Sequence, residues 1–280
     1  MTGEDAPIYS RDKARSFVLP LTSIGRGDLR LVGGKGGHLA EMAAAGFPVP
    51  PGFCVTTTAF NSFLESDDKV GEVLAALDAV DPPDLDTLRY AGEQVRADLG
   101  SVDMPPHVAT AVIGTWRETG AEHAYAVRSS ATMEDLPDAS FAGQQDTFLN
   151  VRGTEDLLDS VHRCWISLFT DRAILYRIQH GFDHRDVQMA VIVQQMVEPE
   201  VSGILFTADP VSGNRHIASI DASYGLGEAL VSGLVSADLY KVDKLSQCEV
   251  EAQIGDKQIA IWPLPAGGTE QQPVDSAQRN

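Results

Sequence analysis

Residues 125–150, YAVRSSATMEDLPDASFAGQQDTFLN, constrain the fold more than any other stretch of the chain. A short apolar run beginning at Tyr125 reads as a strand, and it delivers Arg128, Ser129, Ser130 and Thr132 in quick succession. One guanidinium and three hydroxyls form a donor-rich loop. Such a loop suits phosphate oxygens, because Arg offers a planar, permanently charged fork of N–H donors. Glu134 and Asp135 follow, and Pro137 stops any regular element. Gly143, in the run FAGQQ, lets a backbone approach a ligand closely or take a positive φ. Residues 146–151 predict a second strand. The remaining sequence has to scaffold this chemically dense strand–loop–strand unit.

With 280 residues the chain can form one large domain or two subdomains with real cores. Hydrophobic residues make up 43% and charged residues 22%, as in ordinary globular proteins. Forty acids against 21 bases give a formal net charge of −19, which argues against nucleic acid as the main partner. A nucleotide needs only a few local cations, so the acidity does not exclude one. Cys54, Cys164 and Cys248 lie far apart with no C-x-x-C spacing, which argues against a disulfide framework or zinc knuckle and points to a reducing cytoplasm. No apolar run reaches the length of a membrane span, and residues 1–17 do not read as a secretory signal.

A strand is expected at residues 17–20. Gly33-Gly34-Lys35-Gly36-Gly37 then forms a Gly-rich turn running into a helix over 37–45, which Gly46 ends and Pro48, Pro50 and Pro51 keep closed. Backbone N–H groups at a helix start, with one ammonium, favour an anion. The spacing is not that of a Walker A loop, and a tight connection is the plainer explanation of the glycines. A strand at 53–56 precedes a helix over 59–64 capped by Thr58. Helical spacing covers 70–99, broken at Asp81-Pro82-Pro83, and again 106–119 with Val108, Val112 and Trp116 on one face. A long helical region is expected over 155–181, its apolar stripe including Leu157, Val161 and Trp165.

Beyond it the texture changes to hairpins. Strands are expected at 188–197 and 202–207, joined by Glu198-Pro199-Glu200, then at 216–222, at 239–242 and twice within 250–261. A short helix-like piece opens at Gly225. Residues 270–280 read as a ragged polar end. Gln194 and Gln195 interrupt an apolar strand, so one faces inward or a ligand unless alternation puts it outside. Helices followed by hairpins predict an α+β chain.

Four blocks, taken in order, strongly resemble the N-terminal ATP-binding domain of the phosphoenolpyruvate synthase and pyruvate phosphate dikinase superfamily. They are LVGGKGGHLAEMAAAGFPVPPGFCVTTTAF, AVRSSATMEDLPDASFAGQQDTFLNV, VIVQQMVEPEVSGILFTADP and ASYGLGEALVSGLVSADLY. The last two, with SLFTDRAILYRIQHGFDHRDVQ, look most like the rifampin phosphotransferases. The resemblance implies an ATP-grasp fold in which two lobes hold ATP. The expected lobes are residues 1–186 and residues 187–280, the second incomplete. It also implies that a histidine on a separate domain takes the β-phosphoryl group, leaving AMP and phosphate. That histidine then passes the group to a rifamycin hydroxyl, or to pyruvate in the synthases.

By the same resemblance Lys35 and Arg128 meet the phosphates, Gly143 and Thr147 line the phosphate side, and Gln194 lies beside the adenine. Ser129 and Ser130 either support the phosphates or only hold the loop. Mg²⁺ is expected with ATP, but the family's later Glu-Trp strand and Gln-x-Arg motif, which supply its ligands, do not occur in this sequence, and Glu134 and Asp135 are no convincing replacement. His38 is not taken as the phosphocarrier, because the GFPVPPGF block after it fits the ATP domain. The chain alone is therefore not expected to complete a turnover. Two alternatives stay open: the same domain of a phosphoenolpyruvate synthase, and a nucleotide-binding fragment without catalysis.

Overall fold

The computed structural model describes residues 12–78, 85–132 and 146–279. The chain divides into two compact units after Met196. The first contains β1 (Val18–Pro20), α1 (Leu29–Ala44), β2 (Gly52–Val55), α2 (Thr57–Leu64), α3 (Asp68–Asp78), α4 (Leu85–Gly100), α5 (Pro106–Gly120), β3 (Tyr125–Ala131), β4 (Thr147–Val151), α6 (Gly153–Ile166), α7 (Asp171–His180) and β5 (Met189–Gln195). Among the described residues its strands make one sheet in the order β1-β2-β5-β3-β4, with every pairing antiparallel.

β5 lies at the centre because it is covered on both faces, the setting in which a strand reads as an unbroken apolar run. Alternation along β2, β3 and β5 divides their side chains between two layers. Phe53, Val127, Val191 and Val193 join the larger core, with Phe63 on α2, Val112 on α5 and Trp165 on α6. Trp165 stacks on Phe63 with ring centroids 5.2 Å apart. Cys54 and Ala190 face the other way, into a smaller core built with Val32 and Ala40 of α1.

Several expectations shift. The sheet takes in Met189–Gln195, and the compact units divide after Met196. The strand Val201–Phe206 therefore belongs to a different sheet from β5 and does not form a hairpin with it. Helix α2 begins at Thr57 with Thr56 at its N-cap. The Thr58 hydroxyl instead donates to the Ala14 carbonyl at 3.1 Å. The long helix expected over 155–181 breaks at Thr170, whose backbone is extended and whose hydroxyl accepts the Ala173 N–H at 3.4 Å. That bond is an N-cap, so a second helix starts there. It ends at Gly181, which takes the left-handed conformation with φ 67°.

The second unit contains β6 (Val201–Phe206), β7 (Ile217–Tyr224), α8 (Glu228–Val231), β8 (Asp238–Asp243), β9 (Cys248–Gln253), β10 (Ile259–Pro263) and β11 (Thr269–Pro273). Strands β6-β7-β8-β9 form an antiparallel meander, and β10 pairs with β11. Ser223, Leu226, Ala229, Ala260 and Ile261 are among its buried residues. Thr269–Pro273 is thus a strand, where a ragged end was expected. Its Glu and Gln side chains are exposed, and only the register with β10 reveals it. The mixture of helices and antiparallel sheets is α+β. Among the described residues no helix is long and apolar enough to cross a membrane. Cys54 and Cys164 are buried free thiols, and Cys248 is exposed.

Candidate functional site

The register of the first sheet brings three of the expected residues to one face. Arg128 of β3 lies directly opposite Thr147 of β4 on one side and Ile192 of β5 on the other. Directly opposed residues of an antiparallel pair share a face. Gln194, two residues beyond Ile192, therefore shares it too. The same face carries Ser130, Cys54 and Ala190, which pack against α1. Lys35 stands on α1, so the helix with the ammonium covers the face with the guanidinium. Arg128 and Thr147 are both exposed. Gly143, Glu134 and Asp135 lie outside the described residues.

Its backbone belongs to the β3 ladders, but the Arg128 side chain makes no hydrogen bond or ion pair with another described residue. The surrounding protein nevertheless removes enough water to pull its pKa below the ordinary guanidinium value. Arginine starts so far above neutrality that it keeps its charge. With no carboxylate partner among the described residues, this cation can accept a ligand anion without breaking an ion pair to any of them. Lys35 is half-buried. Its charge and that of Asp146 both reach the thiol of Cys164, which burial pushes well above the usual range.

The Gly-rich turn is far tighter than expected. Helical structure begins at Leu29 and resumes beyond a single break at Gly33, where φ is 67° and ψ is 176°. Residues 34–44 continue as helix, so Lys35 lies in the first turn after the break. Ser130 sits against that break. Its hydroxyl donates to the Val32 carbonyl at 2.8 Å and accepts the Gly36 N–H at 3.3 Å. Ser129 points to the opposite face, and its hydroxyl donates to the Asp146 carbonyl at 3.4 Å.

Both glutamines bond backbone carbonyls. The Gln194 amide donates to Pro50 at 3.2 Å from the α1 side of the sheet, and the Gln195 amide donates to Thr119 at 2.7 Å from the other side. Among the described residues the Gln194 side chain has no other hydrogen-bond partner than Pro50. Pro50 thus does more than bar the return of the helix, because its carbonyl receives the Gln194 amide. His38 is exposed on α1. Among the described residues no three His, Cys, Asp or Glu side chains are grouped closely enough to hold a metal ion.

A family model described as "Pyruvate phosphate dikinase, AMP/ATP-binding domain" matches residues 29–280, most of the chain. The chain belongs to the pyruvate phosphate dikinase AMP/ATP-binding domain family. Among relatives in the family's wider neighbourhood, it is 50% identical over 265 residues to the rifampicin phosphotransferase of Bacillus subtilis (strain 168), covering 94% of this chain and 30% of that protein. It is also 50% identical over 261 residues to the rifampicin phosphotransferase of a Streptomyces species, covering 92% of the chain and 30% of that protein. The phosphoenolpyruvate synthase of Pyrococcus furiosus is 42% identical over 292 residues, with 91% and 36% covered. The chain thus spans about a third of the length of these relatives. Both family members singled out by resemblance, the rifampin phosphotransferases and the synthases, appear among them.

Proposed function

We propose that the chain is the ATP-binding domain of a dikinase-type phosphotransferase with an ATP-grasp fold, and that the final phosphoryl acceptor is a rifamycin hydroxyl. The carrying observation is the shared face of Arg128, Thr147 and Gln194 beneath the helix bearing Lys35, in a chain half identical to rifampicin phosphotransferases. Lys35 and Arg128 bind the triphosphate as cations, the arginine through a fork that fits two phosphate oxygens. Thr147 offers a hydroxyl beside Arg128, and Gly143 a backbone with no side chain to obstruct the phosphates. Gln194 presents its amide oxygen and remaining N–H to the edge of the base. We take the two compact units as the two ATP-grasp lobes, the second completed by further strands, and the setting as cytoplasmic.

In this reading the residues described here bind and orient ATP and neutralise its charge. A histidine on a separate domain takes the β-phosphoryl group as AMP leaves, water takes the γ-phosphoryl group away as inorganic phosphate, and the histidine hands the β-phosphoryl group to the acceptor. Mg²⁺ would accompany the triphosphate and neutralise charge on its oxygens. The described residues offer it no cluster of ligands, so no step is assigned to it.

The identity to the Pyrococcus furiosus synthase supports a second reading, with pyruvate as acceptor. A domain exchange separates the two. The chain would replace the matching segment of the Bacillus subtilis rifampicin phosphotransferase and, separately, of the Pyrococcus furiosus synthase. AMP formation that depends on ATP and rifampicin in the first hybrid, and exceeds pyruvate-dependent AMP formation in the second, is the expected result. Activity in the synthase hybrid alone would overturn the rifamycin assignment.

A further inference from the structure

Ser130 occupies a position that neither a phosphate ligand nor a simple loop residue would need. Val32 and Gly36 are four residues apart, the spacing at which a carbonyl and an N–H bond directly in an unbroken α-helix. Here the Ser130 hydroxyl bridges them, donating to Val32 at 2.8 Å and accepting from Gly36 at 3.3 Å. A side chain inserted into the helical ladder is a recognised cause of a kink. The break sits between those two residues, at Gly33, with its positive φ of 67°.

The geometry also resolves a deficiency in the sequence. Gly33 flanks the resumed helix with non-helical dihedrals, so it stands at the N-cap of residues 34–44. An N-cap side chain ordinarily accepts the N–H of the third helical residue, here Gly36. Glycine has no side chain to do so. Ser130 supplies the missing oxygen from strand β3, and a β-carbon on Gly33 would collide with Ser130 itself. Ser130 is fully buried, with 0% of its surface exposed.

We infer that Ser130 is a positioning residue for nucleotide binding: its hydroxyl locks the helix carrying Lys35 onto the strand carrying Arg128 at a fixed spacing and direction. Lys35 lies between the break at Gly33 and the capped Gly36. Arg128 lies two residues before Ser130 on the same face of the strand. One hydroxyl therefore aligns both cations, and Ser130 need not touch the nucleotide. The inference rests on the ATP-binding reading of Lys35 and Arg128.

The test is a double-mutant cycle on ATP affinity, measured by calorimetry on the purified chain for wild type, Ser130→Ala, Lys35→Ala and the double variant, with Arg128→Ala alongside. Losing both hydrogen bonds is expected to weaken ATP binding about tenfold in Ser130→Ala. In the Lys35→Ala background the same substitution should cost less than about threefold, because the lysine it positions is already gone. Ser130→Cys, which keeps a weak donor in a similar volume, should restore part of the affinity and serves if the alanine variant does not fold. Equal losses in both backgrounds would show a general structural role, and unchanged affinity in Ser130→Ala would show none. Either outcome overturns the inference. If wild type fails to bind ATP, or if binding survives both Lys35→Ala and Arg128→Ala, the ATP reading itself fails.

Discussion

At the residue scale, the Arg128 side chain is exposed and bonds no other described residue, so its removal should hardly alter folding. Arg128→Ala is expected to weaken ATP binding by about 10- to 100-fold, the value of a charge-assisted contact, with the apo melting temperature within about 2 °C of wild type. Lys35→Ala should likewise cost more in nucleotide affinity than in melting temperature. A large fall in the apo melting temperature would mark the lysine as structural. His162 illustrates the opposite case. Its ring lies edge-on to Phe63 with centroids 5.1 Å apart, and its Nε2 is 3.2 Å from the Leu99 carbonyl. Burial holds its pKa below the ordinary value, against the raising effects of Leu99, Asp159 and Asp103. A folded-state pKa below the unfolded one gives stability that is present above the unfolded pKa, about 6.5, and lost as pH falls through the folded value. Urea midpoints should therefore drop below about pH 6.5, and His162→Phe should flatten that drop. A midpoint that falls equally in the variant would assign the acid sensitivity elsewhere.

At the element scale, helix α1 carries the sharpest demand on the backbone. Gly33→Ala places a β-carbon at a positive φ and against Ser130. It is expected to destabilise the chain by about 2 kcal/mol or more, read as a lowered denaturation midpoint. A neutral result would mean that the helix can straighten without loss. Phe63→Ala, at the centre of the larger core beside Trp165, should cost about 3–5 kcal/mol. These elements differ in how legible they were. Val108, Val112 and Trp116 announced α5 through periodicity alone. The run at Met189–Gln195 announced a strand, but not that it would sit at the centre of the first sheet, because pairing partners are not written in a local pattern. The four glycines and one lysine at residues 33–37 suggest a loop. Only the tertiary contact with Ser130, 94 to 98 residues away in sequence, shows how a helix can run through them. The cap at Thr170 was readable from a Thr-Asp pair, yet the apolar stripe on either side of it masked the break.

At the scale of the whole molecule, a chain with formal charge −19 places Arg128 on one sheet face and Lys35 on the helix above it, the two cations proposed to meet the triphosphate. The expected family was legible because four motifs kept their order, and Arg128, Thr147 and Gln194 then coincide in space although they lie up to 66 residues apart in sequence. The most direct test of the central claim is calorimetric titration of the purified chain with ATP, with and without Mg²⁺, on wild type and Arg128→Ala. Saturable binding by wild type, lost or weakened by about tenfold or more in Arg128→Ala, is the expected result. A well-folded wild-type chain that binds no ATP, or an Arg128→Ala chain that binds as tightly as wild type, would contradict it.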